Sequence, residues 1–127
     1  MKTFRIDLLI YKTFILFYIS DNFKECQNHF NNKYKKSNLI DIKDEPWACC
    51  FNRGFQVIFL LEKNLYLSLI IHEILHAVFG IFRNRDIVYS EDSEEAYTYL
   101  CDYILNEFTK KINKLKDNFI LKYLIEK

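Results

Sequence analysis

The alternation of apolar and polar residues predicts two β-hairpins in the first half of the chain. Residues 4–19 are rich in β-branched and aromatic side chains, which favours strands at Thr3–Ile10 and Thr13–Ile19 joined around Tyr11-Lys12. This turn contains neither Gly nor Asn, so one long strand or a helix remains the competing interpretation. An Asn-Arg-Gly turn signal separates Ala48–Phe51 from the apolar run Phe55–Leu61, which predicts a second hairpin whose second strand lies inside the sheet.

Apolar residues spaced three or four apart predict a helix between the two hairpins. This helix begins at Ser20-Asp21-Asn22, whose side chains suit a helix cap, and runs to about Lys36. His29 lies beside its apolar stripe and belongs to no metal-binding spacing, so we interpret it as a partly exposed helix residue. The polar stretch Lys35–Pro46 then predicts a loop with a short extended segment around Leu39–Ile42.

Three more helices are predicted after the second hairpin. The first of them is capped by Asn64, covers about residues 65–82 and frays at Gly80. The next begins within Ser90–Glu95 and continues to about Lys111. A last helix follows Asn113, and we expect its apolar side to pack in the core rather than on a membrane or a partner helix: Leu115, Phe119, Ile120, Tyr123 and Leu124. The chain is therefore predicted to be α+β, with a small antiparallel sheet packed against a helix pair and a C-terminal helix.

Composition and charge exclude several classes of protein. A length of 127 residues suits one domain, and a hydrophobic content of 50% with 17% aromatic residues argues against disorder. The net charge of +1 predicts no electrostatic attraction to nucleic acid or to a membrane surface. The sequence contains no run of about 20 uncharged apolar residues and no signal-peptide pattern at its start. We therefore expect a cytoplasmic protein, located in the host cytoplasm if a phage encodes it.

The four cysteines are interpreted as reduced thiols. No two of them have the C-x-x-C spacing, and adjacent cysteines rarely form a disulfide with each other: Cys26, Cys49, Cys50 and Cys101. A second metal site built on Cys49 or Cys50 is the alternative interpretation.

The candidate chemistry lies in the sequence His-Glu-x-x-His at residues 72–76. On a helix, His72 and His76 share one face, so their imidazoles can bind a single zinc ion. Glu73 stands beside them, where it can take a proton from a zinc-bound water. The chain has only 3 histidines, so this spacing is unlikely by accident. The surrounding apolar residues predict a mostly buried helix, in which a metal would offset the cost of burying the polar side chains: Ile70, Ile71, Ile74, Leu75, Val78 and Phe79.

Zinc requires a third protein ligand, and a Glu on the following helix is the predicted one. The metzincin pattern is excluded, because Phe79 and Phe82 occupy the positions of its Gly and His. Glu95 is the first choice, since it shares a helix face with Tyr99 and Asp102 at positions i, i+4 and i+7. Glu94 is the alternative ligand, and a capping box with Asp92 is the alternative role for Glu95.

The motif and the segment Ser93-Glu94-Glu95-Ala96-Tyr97-Thr98-Tyr99-Leu100 resemble small His-Glu-x-x-His proteins of phage and bacterial genomes, which are zinc metallopeptidases of the gluzincin kind. The resemblance covers residues 55–105 best. It implies zinc ligands at His72, His76 and Glu95, Glu73 as catalytic base, and a small sheet before the motif helix. The chain also resembles, more distantly, the peptidases that cleave phage repressors, but Tyr97 replaces their Asn or Asp and Leu100 their second Ala.

These observations predict a small zinc-dependent hydrolase, and most directly a peptidase acting on a peptide or protein. Zinc would polarise the scissile carbonyl while Glu73 accepts and returns a proton. Tyr97 and Tyr99 are candidates to stabilise the oxyanion, and a sheet edge near Phe55–Leu61 is a candidate to bind an extended substrate. The alternative is a catalytically silent zinc-binding accessory protein of a phage that binds a host or phage partner.

Overall fold

The computed structural model describes residues 1–34, 40–42 and 46–115, and within these ranges the chain has the expected α+β class. Four strands and three α-helices follow one another in this order: β1 (Lys2–Leu8), β2 (Thr13–Ile19), α1 (Phe23–Lys33), β3 (Ala48–Asn52), β4 (Gln56–Leu60), α2 (Leu67–Arg83) and α3 (Glu94–Lys114). Short 3-10 turns lie at Leu9–Tyr11 and Glu62–Asn64. No helix in the described ranges is both long and apolar enough to cross a membrane.

The sheet is mixed, so the prediction of an antiparallel sheet is wrong at its centre. The strand order is β1-β2-β4-β3, in which both outer pairs are antiparallel and the β2–β4 pair is parallel. Each hairpin is a local structure, but the long connection through α1 lets the second hairpin join in the parallel sense. Every residue of β4 is buried between its neighbours. Among the described strands, β1 and β3 are therefore the edges of the sheet, and the prediction of a sheet edge near Phe55–Leu61 is wrong.

Helices cover both faces of the sheet. Alternate strand residues point to opposite faces, and one set packs with α2 and α3: Ile6, Leu8, Ile15, Phe17, Ile19, Ile58 and Leu60. The other set packs with α1: Leu16, Tyr18, Val57 and Phe59. Helix α2 lies against β3 and β4, and α3 lies against α2 and β1. The motif helix is thus fixed beside the β3 edge of the sheet.

The structure confirms the first predicted hairpin and the predicted helix that follows it. Strand β1 ends at Leu8, and the turn closes with Lys12 in the left-handed region at a φ of 51°. The side chain of Asn22 accepts a hydrogen bond of 3.2 Å from the Glu25 amide, as a helix cap does. Helix α1 ends at Lys33.

The ends of α2 and α3 differ from their predictions. Asn64 belongs to a 3-10 turn and is not the cap, because α2 begins after Tyr66. Helix α2 does not fray at Gly80 but continues to Arg83, since Gly80 packs against the side chain of Gln56. Helix α3 continues through Asn113 to Lys114. The rest of the predicted last helix, at residues 116–127, lies outside the described residues, as does Leu39 of the predicted extended segment. The described part of that segment, residues 40–42, forms no strand, and its backbone is hydrogen-bonded to the α1 side chains of Asn31 and Gln27 instead.

Candidate metal centre

Helix α2 holds the two motif histidines as a pair that fits a metal ion. The Nε2 atoms of His72 and His76 lie 3.1 Å apart, and the ring centroids are 4.7 Å apart. A tetrahedral zinc ion with Zn–N distances of about 2.05 Å holds two nitrogens about 3.3 Å apart. The two Nε2 atoms lie within hydrogen-bond distance of each other, and their separation is also close to the one that two corners of a zinc site require.

The motif helix is buried on one side only, so the prediction of a mostly buried helix is wrong. His72 and His76 are exposed, and Leu75 and Phe79 are 41% and 40% exposed. The cost of burying unpaired imidazoles therefore does not arise at these positions. The support for a metal ion comes from the geometry of the pair, and of the three polar motif residues only Glu73 is buried, at 5% exposed.

Glu73 lies between the histidine pair and the edge strand β3. Burial raises the pKa of its carboxyl group above the ordinary glutamate value, while His72 and His76 oppose this by lowering it. The pKa of the Cys49 and Cys50 thiols is raised to about 12, first because these thiols are themselves buried and second because the Glu73 charge lies nearby. Among the described residues, the Glu73 carboxylate has no hydrogen-bond partner, so it is available to a reacting group.

The two candidate third ligands, Glu94 and Glu95, lie in the first turn of α3, and both are exposed. The buried side of α3 consists of Tyr97, Leu100, Ile104, Phe108 and Ile112. Helical spacing puts Glu95, Tyr99 and Asp102 on the opposite side, and all three are exposed. Glu94 is also exposed, but it lies about 60° around the helix from Tyr97, whose ring contacts α2.

The structure brings together His72, Glu73 and His76 but not the third predicted ligand. In residues 1–34, 40–42 and 46–115, no three His, Cys, Asp or Glu side chains are close enough to hold a metal ion. The capping box of Asp92 with Glu95 does not form either, because the N-cap is Ser93 and its side chain makes no capping hydrogen bond. Glu95 and Glu94 therefore stay predictions as ligands.

The two tyrosines predicted to stabilise an oxyanion have other surroundings. The Tyr97 hydroxyl donates a hydrogen bond of 3.2 Å to the Ile87 carbonyl, and its ring packs 4.3 Å from that of Phe82. Tyr99 is 70% exposed and lines a groove with Leu9 and other residues of the first turn. Tyr97 thus fixes the loop between α2 and α3, and Tyr99 lies on the side of α3 away from its buried residues.

The third histidine lies away from the His72–His76 pair, and the four cysteines are free thiols. His29 is exposed on α1, across the sheet from α2, and its Nδ1 lies 3.0 Å from the Tyr18 hydroxyl. It is therefore not part of the candidate centre, as the sequence indicates. All four cysteines are free, which agrees with their interpretation as reduced thiols.

A cleft between α2 and β3 was not predicted from the sequence. It has a volume of about 350 Å³ and extends from Glu73 and His76 to Arg83. Gln56 of β4 lines it, although this side chain is only 1% exposed, and the Gln56 Nε2 atom has no hydrogen-bond partner among the described residues. A larger cavity of about 730 Å³ lies beside α1 and contains none of the motif residues. The available sequence signals were a Gln that starts an apolar buried strand and a Gly four residues after His76.

Gly80→Ala should destabilise the wild-type protein but stabilise a Gln56→Ala variant. A Cβ atom at Gly80 would lie 2.5 Å from Oε1 and 2.7 Å from Nε2 of Gln56. Such overpacking costs about 1–3 kcal/mol, whereas Ala gains about 1 kcal/mol over Gly inside a helix. In the Gln56→Ala background the overlap is absent, so only the gain in helix propensity remains. Urea unfolding of the two single variants, the double variant and wild type measures this coupling, and the same sign of effect in both backgrounds would contradict the packing described.

No protein-family model, curated protein or solved structure matches this chain, so the fold and the candidate centre rest on its own residues.

Proposed function

We propose that this chain is a zinc-dependent hydrolase that acts as a small metallopeptidase. The observation that carries the proposal is the 3.1 Å separation of the His72 and His76 Nε2 atoms beside a buried Glu73. His72 and His76 would hold the zinc ion, with Glu95 proposed as third ligand and Glu94 as its alternative. The resemblance of the motif region to the gluzincin-type proteins supports the same assignment.

Glu73 is proposed as the general base. When bound, zinc supplies a Lewis acid that polarises the scissile carbonyl. The Glu73 carboxylate accepts a proton from the attacking water and passes it to the leaving amine. Its burial favours this role, because a raised pKa makes the carboxylate a stronger base than an exposed glutamate. The cysteines nearby are poor nucleophiles, since thiols with a pKa of about 12 stay protonated at neutral pH.

Strand β3 is proposed as the place where an extended peptide binds. It is an edge strand of five residues, and α2 with Glu73 lies next to it. An edge strand presents unpaired backbone groups, so a peptide can add to the sheet by main-chain hydrogen bonds. The scissile bond would then pass Glu73 and the histidine pair at the mouth of the cleft.

A second candidate function is a catalytically silent zinc-binding accessory protein. The observation that favours it is an apolar patch remote from the motif, where Leu9, Ile10 and Tyr99 are 86%, 89% and 70% exposed. These side chains border a groove of about 490 Å³ between the first turn and α3. Exposed apolar patches of this kind mark surfaces that bind another protein.

A peptide library incubated with the purified protein tests the proposed function. We expect cleavage of some peptides, loss of cleavage after treatment with a chelator, and recovery when zinc is added back. Mass spectrometry of the products measures all three steps, and magnesium added in place of zinc is the control. A protein that contains zinc but cleaves nothing would support the accessory protein instead.

A further inference from the structure

The Gln56 side chain is a buried hydrogen-bond donor that meets no acceptor in residues 1–34, 40–42 and 46–115. It is 1% exposed, and its Nε2 atom has no partner within the described part of the chain. Its Oε1 atom accepts only a weak hydrogen bond of 3.8 Å from the Cys50 thiol. An amide buried in this way costs free energy unless something else supplies the missing acceptor.

The position of this amide is held by the residue facing it. The Gln56 amide lies directly against Gly80, where a Cβ atom would overlap its Oε1, Nε2 and Cδ atoms. On the adjacent strand β3, Asn52 pairs with Gln56 and lines the same cleft. The Asn52 side chain is already engaged, since its amide and that of Asn84 exchange two hydrogen bonds of 3.0 Å. Gln56 is therefore the polar group of the cleft whose donor is left for a ligand.

Arg83 gives the far end of the cleft a positive charge. It is the last residue of α2, it lines the cleft, and it forms no ion pair with any residue in the described ranges. Among the described residues, Glu73 is the only acidic one that lines the cleft, and it lies at the opposite end. An amide donor and a guanidinium together match a group that is both a hydrogen-bond acceptor and negatively charged.

We propose that the cleft between α2 and β3 binds a carboxylate of the substrate through the Gln56 amide and the Arg83 guanidinium. This inference rests on the proposed function, because it assigns a specificity site next to the proposed catalytic one. From His76, the helix rises about 6 Å to Gly80 and about 10 Å to Arg83. An extended peptide advances about 3.3 Å per residue, so the carboxylate belongs two to three residues from the scissile bond.

A carboxylate at this distance has two sources, the free C-terminus of a peptide and an internal Asp or Glu side chain. Acetyl-tetra-alanine with a free C-terminus or a C-terminal amide tests the first source. Acetyl-Ala-Ala-Glu-Ala-amide and its Gln counterpart test the second. Calorimetric titration of zinc-loaded Glu73→Gln protein measures binding of each peptide without turnover. We expect at least one carboxylate peptide to bind about tenfold or more tightly than its neutral partner.

Variants of the two cleft residues test the assignment of the donors. Gln56→Leu should weaken binding of the preferred peptide by about tenfold or more, because a hydrogen bond to a charged group is lost. Arg83→Gln should weaken it by about threefold, since an exposed charge pair contributes less. Lys114→Gln removes the same charge from the far end of α3 and should leave binding unchanged.

Thermal unfolding separates a ligand-binding role of Gln56 from a structural one. Gln56→Leu should unfold at or above the wild-type temperature, because it removes a buried polar group that lacks a partner. A lower unfolding temperature would overturn the assignment of this amide as a ligand donor. Equal binding of charged and neutral peptides, together with no effect of Arg83→Gln, would overturn the inference even if peptides are hydrolysed. A carboxylate preference in a protein that hydrolyses nothing would contradict only the proposed function.

Discussion

Glu73→Gln should lower peptide hydrolysis by about 100- to 10,000-fold while the protein keeps its fold and its zinc, because removal of a general base has an effect of this size. Glu73 is 5% exposed and turned towards β3, whereas the imidazoles on either side of it point outwards as a pair. Gln has the same shape as Glu, so the packing is retained and only the proton acceptor is lost. Values of kcat/KM, zinc content by elemental analysis and thermal unfolding together check this result.

A matched variant and three outcomes make this experiment decisive. Glu107→Gln on α3 removes a carboxylate from an exposed pair with Lys110, and it should leave hydrolysis unchanged. Chelator-sensitive hydrolysis that survives Glu73→Gln would show that the proposed mechanism is wrong. Loss of zinc or of the fold in Glu73→Gln would show that Glu73 is structural. Zinc without hydrolysis in wild type would favour the accessory protein.

Local signals in the sequence were sufficient to predict most of the elements. The first hairpin forms because β-branched and aromatic residues favour strands on both sides of the turn at Leu9–Lys12, and the Asn22 cap is used as expected. The second hairpin forms around Gly54, whose φ of 82° suits glycine. The histidine pair also depends only on local structure, since residues four apart on any helix share a face.

Features that depend on contacts distant in sequence could not be predicted in this way. The parallel pairing of β2 with β4 is decided by how the two hairpins meet, which no short segment encodes. The cleft exists because Gly80 of α2 lies against Gln56 of β4, 24 positions earlier in the chain. From the sequence alone, Gly80 was expected to fray its helix, and Gln56 was only one position of the apolar run Phe55–Leu61 that was predicted to lie inside the sheet.

The orientation of α3 could have been predicted from the spacing of its apolar residues, but the choice of Glu95 was based on the spacing of polar residues instead. The apolar spacing from Tyr97 to Ile112 defines the buried side of the helix. By the same periodicity, Glu95 lies about 160° from the centre of that side and Glu94 about 60° from it. The sequence-based choice of Glu95 relied on Tyr99 and Asp102 sharing its face, and that face is exposed.

His72→Ala and His76→Ala should each lower zinc affinity by more than about 100-fold, because each removes a direct ligand and even supporting residues contribute about 10- to 100-fold. Wild type purified without chelator should contain about one zinc ion per chain. Calorimetric titration and elemental analysis measure both quantities. His29→Ala is the matched control, since His29 lies across the sheet on α1 and contacts Tyr18 instead. Metal-free wild type would end the zinc proposal.

The same titration identifies the third ligand. Glu95 is the prediction from the sequence, and Glu94 is the acid nearer the buried side of α3, while neither carboxylate contacts an imidazole within the described residues. We expect one of the variants Glu95→Ala and Glu94→Ala to lose more than about tenfold in zinc affinity and the other to change little, since the two side chains point about 100° apart around the helix. Equal, small losses in both variants would mean that neither residue is a ligand, and that the third donor has to be sought elsewhere in the chain or in a partner.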